Sequence, residues 1–403
     1  MTVASFPRQL LRLEQILKRP YIYIGSVEHI TQTMWAYDSD TKRMVFRDVR
    51  YVPGFYKIVD AILVNAVDNK VCPIYRSIGE REGLRQQIND PNMDTLKVTI
   101  DPEEGTISIY NNGKGIPIEI HSKEKMYIPE LIFGHLLTSS NYDDEEKKLV
   151  GGRNDYGARL TNIYSTEFTL ETADKYSEQE YKQTWTDNMT KVGKAKLTKN
   201  SRKEEFTQIT FKPDFKRFGM DGLDEDIIAL LKRRVYDMAG TVKNIKVFLN
   251  DERIKVKNFK QYVEMHFNSS AADASETTGG GSQSKPPFVY EQVHECWEVA
   301  FAVSDGSFQQ VSFASSIATT KGGTHVMYIV DQIATSLITS IQKKNKGAAV
   351  NLTKDELRDH MWVFVNALIE NPTFDSQVKD TLTLPADKFG IKPNVSEDFV
   401  KKG

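Results

Sequence analysis

Lys57–Lys70, KIVDAILVNAVDNK, is the stretch on which the reading of this chain turns. Its apolar residues recur with helical spacing. Asn65 and Asn69 stand one turn apart, and Ala61 lies one turn before Asn65. Asp68 borders the same stripe, which therefore reads Ala, Asn, Asp, Asn on an otherwise apolar helix. Two asparagines are costly to bury without partners, so the stripe needs something polar to face. It also begins with a methyl group, which can bind nothing polar.

The rest of the chain sets limits on what that could be. Its 403 residues suit two or three domains. With 39% hydrophobic and 27% charged residues it reads as a soluble globular protein. A net charge of −2 excludes the overall basic field of a dedicated DNA-binding domain, so any nucleic-acid contact has to come from a local patch. Cys72 and Cys296 are too few for a disulfide framework, and a reducing compartment fits. No apolar run reaches membrane-span length, and the first twenty residues lack the unbroken apolar core of a signal peptide.

Helical periodicity marks residues 8–18, 55–70, 129–138, 223–240 and 323–344. Strand patterns mark 96–101 and 106–112, joined by residues including EEG that allow a hairpin, then 165–174, 180–188 and 206–214. Residues 244–256 read as strand, turn, strand. After the Ser/Gly/Thr-rich tract 268–287, expected to be a flexible loop, strands resume at 297–305, 308–319 and 361–369. There is no internal repeat. The pattern is mixed α/β (α+β) with antiparallel elements, in two lobes meeting near residue 255.

Three further segments bear on chemistry. YNNGKGIPI, Tyr110–Ile118, follows a strand. Gly113 and Gly115 allow a tight turn where a flat ring could approach the backbone, with Asn111 offering an amide. HLLTSSNYDD supplies Ser139, Ser140 and Asn141. GGRNDYGARLTNIYS, Gly151–Ser165, is a glycine-containing loop leading into a helix, which presents N–H groups and a positive dipole end to phosphates. It is not the lysine-bearing P-loop pattern. No zinc spacing and no Ser-His-Asp arrangement is evident. Each segment alone has an ordinary reading as a solvent-facing helix, a turn or a cap; the four in this order do not.

With these motifs the chain resembles the N-terminal ATPase region of eukaryotic type II DNA topoisomerases, with fungal-like wording in places. The words IGSVE, YVPGFYKI, ILVNA, NNGKGIPIEIH, LIFGHLLTSSNYDD, SIATTKGGTHV and VNALIENPTFDSQ carry the resemblance, which spans LEQILKRP to KFG. It implies a Bergerat-type nucleotide-binding α/β sandwich over residues 1–254 and a transducer domain with a left-handed βαβ crossover over 255–403. By resemblance Asn65 holds a Mg²⁺ that bridges the phosphates of ATP, which suits an ion that takes oxygen ligands and keeps waters. Asn69 matches a phosphate or ribose contact, Asn111 an adenine contact, and Ser139, Ser140 and Asn141 ribose and phosphate contacts. Gly152, Arg153, Asn154, Asp155, Tyr156, Gly157, Ala158 and Arg159 match the phosphate-wrapping loop. Gln377, Val378 and Lys379 match a transducer loop reaching the γ-phosphate, with Lys379 as its sensor. Lys343, Lys344 and Lys346 match a basic DNA-facing segment; a solvated helix end is the plain alternative. The implied partners are a second copy, as a homodimer closed by ATP, and double-stranded DNA; the implied location is the nucleus.

The chain departs from the family where chemistry is expected. The family places its general-base Glu at Ala61. Losing such a base costs roughly 10²–10⁴ in rate, on the order of 3–5 kcal/mol of barrier. Binding need not suffer, because the base faces water. Asp155 stands for a glycine: it tolerates φ > 0 only moderately, and a carboxylate ~4 Å from a phosphate charge is repelled by about 4 kcal/mol at an effective dielectric of ~20. Arg159 stands for Lys and keeps the charge in a planar fork. Val378 stands for Thr. Pro7 occupies the place of a dimer-arm tyrosine, and RPYIYIGS departs from the family's wording.

These substitutions leave three readings open: an ATP-operated gate with impaired hydrolysis, a nucleotide- or partner-binding pseudoenzyme, or the non-functional product of a degraded or truncated gene copy. The acidic metal-binding and DNA-cleaving words of the family are absent, so this chain alone is not expected to cut DNA. Residues 71–87 fit no pattern. They read as a surface insert or, as a hypothesis, a retained intron, since Val-Cys can be encoded by a fungal-type splice donor. A messenger RNA that carries the segment uniformly would count against the intron.

Overall fold

The computed structural model describes residues 6–68, 70, 90, 92–122, 124–136, 156–274, 288–344 and 352–402. The segment 71–87 lies outside them. The chain divides into two compact units between Lys257 and Asn258.

The first unit opens with α1 (Phe6–Lys18) and α2 (Pro20–Tyr23), then a hairpin of β1 (Ile30–Asp38) and β2 (Arg43–Tyr51). This hairpin is absent from the sequence reading. Ile30, Thr31, Gln32 and Thr33 are all exposed, so β1 begins with no in–out alternation to read. Next comes α3 (Pro53–Asp68), the helix of the asparagine stretch, with proline at its first position, where no helical N–H is lost. Gly54 is required there. Its N–H donates to the Ser26 carbonyl at 2.7 Å, and a Cβ would meet that oxygen at 2.9 Å. The words IGSVE and YVPGFYKI are thereby joined.

A nine-stranded sheet follows, built from β3 (Thr95–Asp101), β4 (Thr106–Asn111), β5 (Ser165–Asp174), β6 (Gln179–Thr186), β7 (Lys191–Val192), β8 (Lys196–Lys199), β9 (Phe206–Pro213), β10 (Lys246–Leu249) and β11 (Glu252–Arg253). Its order is β11-β10-β3-β4-β9-β5-β6-β7, with β8 also on β6. All pairings are antiparallel except β10 on β3. The helices of this unit also include α4 (Ile128–Gly134), α5 (Tyr156–Ile163) and α6 (Glu225–Thr241), and α3 packs against α5, α6 and β4. Its buried Ile58, Val59, Ile62, Leu63, Val64 and Val67 each contribute ~1.5–3 kcal/mol. The helix expected over 129–138 stops at Gly134. A Cβ there would stand 2.3 Å from the Trp185 indole nitrogen, and His135 is already extended.

The second unit begins with α7 (Phe259–Ala274), which runs seven residues into the tract expected to be a loop; Ala271, Ala272 and Ala274 are compatible with helix, and 275–287 lie outside the described residues. Its sheet is ordered β12 (Val289–His294), β13 (Trp297–Val303), β16 (Met361–Ala367), β14 (Gln309–Ala314), β15 (Ile317–Ala318). Between β15 and β16 stand α8 (Thr324–Lys344) and α9 (Lys354–Arg358); α10 (Glu397–Lys402) closes the chain. β14 and β16 are parallel neighbours joined through α8, the βαβ unit that the resemblance implies. Trp297 meets Tyr328 of α8, while Phe364, on the alternate face, meets His266 and Phe267 of α7, so the two helices cover opposite faces. Among the described residues no helix is long and apolar enough to cross a membrane.

Candidate functional site

Asn65 avoids the cost of burial by facing outward. Asn65 is exposed, and Ala61 and Asp68 are half-buried on the same stripe. Ala61 and Asn65 face the start of α5: a methyl added at Gly157 would lie 3.1 Å from the Ala61 Cβ and 3.9 Å from the Asn65 amide nitrogen. The two segments singled out separately in the sequence are thus in contact. Thr161 fastens them. Its buried hydroxyl lies 2.8 Å from the Ile58 carbonyl of α3 and 3.1 Å from the Gly157 carbonyl of its own helix. The N-terminal turn of α5 leaves N–H groups unpaired within the helix and a positive dipole end, beside an exposed amide.

Asp60, one residue before Ala61, points the other way. Its carboxylate accepts from the fully buried Arg234 of α6 at 2.6 Å and from Lys57 at 3.3 Å; Asp237 lies 3.5 Å from Arg234. Burial alone would raise the Asp60 carboxyl. The Arg234 guanidinium, with Lys57 beside it, outweighs burial and holds it at about 2.

Asn111 ends β4 and is buried. Its side-chain oxygen accepts from the Gly113 N–H at 3.1 Å, and its amide nitrogen donates to the Thr207 carbonyl at 3.5 Å. A lone pair and an N–H remain in its hydrogen-bonding capacity. Neither Gly113 nor Gly115 has positive φ. Gly115 is required by close approach instead: a Cβ would lie 1.7 Å from the Ala173 carbonyl of β5. Arg159 closes the first turn of α5. It is buried, and its Nε donates to the Ile132 carbonyl of α4 at 2.7 Å.

Of the remaining sequence candidates, Asn69, Ser139, Ser140, Asn141, Gly152, Arg153, Asn154, Asp155 and Lys346 lie outside the described residues. Tyr156 and Ala158 stand in the first turn of α5. In the second unit, Gln377 is exposed and Val378 half-buried. Lys379 has φ +66° and its ammonium lies 5.7 Å from the Phe374 ring centre. Lys343 and Lys344 are exposed in the last turn of α8. Sequence reasoning missed Thr161, Thr172 and Thr207. Thr172 accepts from the Ile116 N–H at 3.0 Å and meets Thr207 at 3.1 Å, framing the Asn111 turn. For Thr172 and Thr207, threonine at inward strand positions was the available signal.

Comparison with known proteins places this geometry. The family described as DNA gyrase B matches residues 258–402. DNA topoisomerase 2 of Meyerozyma guilliermondii is 53% identical over 98% of this chain, and DNA topoisomerase 2-alpha of Homo sapiens 50% identical over all of it. The chain spans about a quarter of the length of these relatives. The crystal structure of the ATPase region of Saccharomyces cerevisiae topoisomerase II superposes with TM-score 0.83 at 49% identity, covering 97% of this chain and 93% of that one. The 43K ATPase domain of Thermus thermophilus gyrase B shares the fold at TM-score 0.56 and 19% identity. The chain therefore belongs to the type II DNA topoisomerase family, and within it to the ATPase region.

Proposed function

We propose that this chain is the ATP-binding gate region of a type II DNA topoisomerase, with hydrolysis impaired at Ala61. In this reading residues 1–254 bind nucleotide and 255–403 are the transducer. ATP closes a homodimer around double-stranded DNA for strand passage, in the nucleus. The observation that carries the reading is the contact of the Ala61–Asn65 stripe with Gly157 at the start of α5. It sets an exposed amide beside a helix end suited to a triphosphate. Asn65, Asn69, Asn111, Ser139, Ser140, Asn141, the segment Gly152–Arg159 and the trio Gln377, Val378 and Lys379 are the proposed nucleotide contacts; Lys343, Lys344 and Lys346 are the proposed DNA contacts.

Mg²⁺ fits the donors present. Among the described residues no three His, Cys, Asp or Glu side chains cluster as a metal cage. An ion that binds through one or two protein oxygens plus phosphates needs none. When bound, it would neutralise and align phosphate oxygens. The amide of Asn65 would hold it, and the N–H groups of α5 would meet the phosphate charge.

Hydrolysis is the weak step. Ala61 cannot take a proton from water, and Asp60 cannot stand in for the missing base. It is on the other face, paired with Arg234, and at about 2 its carboxyl is too weak a base. This supports a second reading, a nucleotide-binding pseudoenzyme. Calorimetric titration with a non-hydrolysable ATP analogue and Mg²⁺, beside a steady-state turnover assay, tests both. Micromolar binding lost in Asn65→Ala, with turnover near background, is expected. No binding by the intact chain would overturn the nucleotide site, and ordinary turnover that Asn65→Ala abolishes would overturn the impairment.

A further inference from the structure

The outer edge of the first unit's sheet carries a charge that the nucleotide site does not use. From Met189 to Lys203 the chain has six basic residues, Lys191, Lys194, Lys196, Lys199, Arg202 and Lys203, and no carboxylate. The segment forms β7 and β8, both on the free edge of β6, and all six residues are exposed. Flanking acids pair with part of this charge. Asp187 holds Lys191 at 2.6 Å, Glu178 holds Lys203 at 2.8 Å and also lies in the field of Lys199, and Glu204 meets Arg202 at 3.6 Å. Lys194, Lys196 and Lys199 form no ion pair among the described residues. Lys196 stands directly opposite Lys182 in the β6–β8 ladder, and Lys182 is already paired with Glu171 at 3.0 Å. Opposed like charges destabilise a ladder, so the edge stores repulsion that an external polyanion would relieve.

We propose that this edge is a docking surface for the phosphate backbone of duplex DNA. The choice of DNA rests on the reading under Proposed function; the choice of surface does not. Its chemistry excludes the usual protein partner. Protein interfaces are depleted of lysine at their centres and anchored by aromatic side chains, whereas the apolar exposure here is confined to Val192 and Leu197. Lysines offer point charges without a bidentate fork, which suits sequence-independent phosphate contact. Successive bases of a single strand would need a row of stacking rings. The β5–β6 turn supplies one exposed ring, Tyr176.

Edge lysines also serve to prevent strand-to-strand aggregation, and the experiment separates the two roles. Fluorescence anisotropy with a labelled duplex over a range of salt is measured for the intact chain, for the triple variant Lys194→Ala, Lys196→Ala, Lys199→Ala, and for the triple variant Lys343→Ala, Lys344→Ala, Lys346→Ala. The edge variant is expected to bind more weakly and to lower the slope of log affinity against log salt by about 3, at ~0.9 per phosphate contact. Its melting temperature and its binding of an ATP analogue stay unchanged. The α8-end variant keeps the edge component. An edge variant that aggregates faster while its affinity and slope match the parent overturns the proposal. So does equal binding of a polyglutamate competitor, or preference for a single strand. Failure of the intact chain to bind the ATP analogue bears on the nucleotide reading and leaves the DNA slope to be judged by itself.

Discussion

Two faces of α3 carry opposite physics one residue apart. On one, Asp60 is buried against Arg234 and Lys57, and Arg234 in turn reaches Asp237. On the other, Ala61 and Asn65 face the start of α5, and the asparagine is exposed. A helix turns ~100° per residue, so adjacent positions in one word of sequence serve different demands. The buried face holds α3 to α6 with groups that must stay paired. The open face holds groups that need a partner from outside. The fold asks for no carboxylate on the open face, and alanine stands there at position 61.

The strongest challenge to this division is to restore the carboxylate. Ala61→Glu should raise steady-state ATP turnover by roughly 10²–10⁴ while leaving analogue affinity and melting temperature little changed. If analogue binding persists and turnover stays at background, Ala61 is not the reason for the proposed impairment. Departures such as Asp155 would then have to carry it.

On the buried face the expected effect is on stability. Arg234→Met leaves Asp60 with Lys57 and Asp237 with the more distant Arg233, and should cost about 3–5 kcal/mol in urea unfolding, the penalty for removing one partner of a buried ion pair. A loss under ~1 kcal/mol would mean that water reaches this core. The same face sets an acid limb. The Asp60 carboxyl is held below its ordinary 3.8, at about 2, so its contribution is complete above pH ~4 and is lost as pH falls through ~2. At 1.36 kcal/mol per unit this is on the order of 2 kcal/mol. The stability difference between the intact chain and Asp60→Asn should therefore shrink from pH 4 to pH 2. A difference that stays flat over that range would place the titration elsewhere.

Much of the open face was legible in sequence, and the reason is periodicity. The apolar positions of Lys57–Lys70 announce a helix, and the spacing of Ala61 to Asn65 places them on one stripe. The loop-to-helix word of Gly151–Ser165 announces a helix start. Their contact was not legible, because it depends on Gly157 lacking a Cβ and on a Thr161 hydrogen bond to a residue 103 positions away. Nor was the anchoring of Arg159, whose Nε donates to the Ile132 carbonyl of another helix. The β1–β2 hairpin escaped notice because its first four residues are exposed whichever way they point, and Asp60 passed unremarked because its partner Arg234 lies on another helix.

Thr161 fastens α5 to α3 and gives the smallest and most diagnostic effect. Its single hydroxyl hydrogen is shared between the Ile58 and Gly157 carbonyls, so it fixes how far the start of α5 stands from the Asn65 stripe. Thr161→Val keeps the shape and removes the donor, at about 1 kcal/mol of stability. If the hydroxyl only packs, calorimetry will find analogue affinity unchanged once the protein is folded. If it positions α5, affinity should fall roughly 3–10-fold, about 1 kcal/mol, and Thr161→Ser should restore most of it, since serine returns the donor without the methyl. A serine variant as weak as valine would mean that the donor alone does not set the position of α5, because valine keeps the methyl and serine the hydroxyl, and both groups would then be needed.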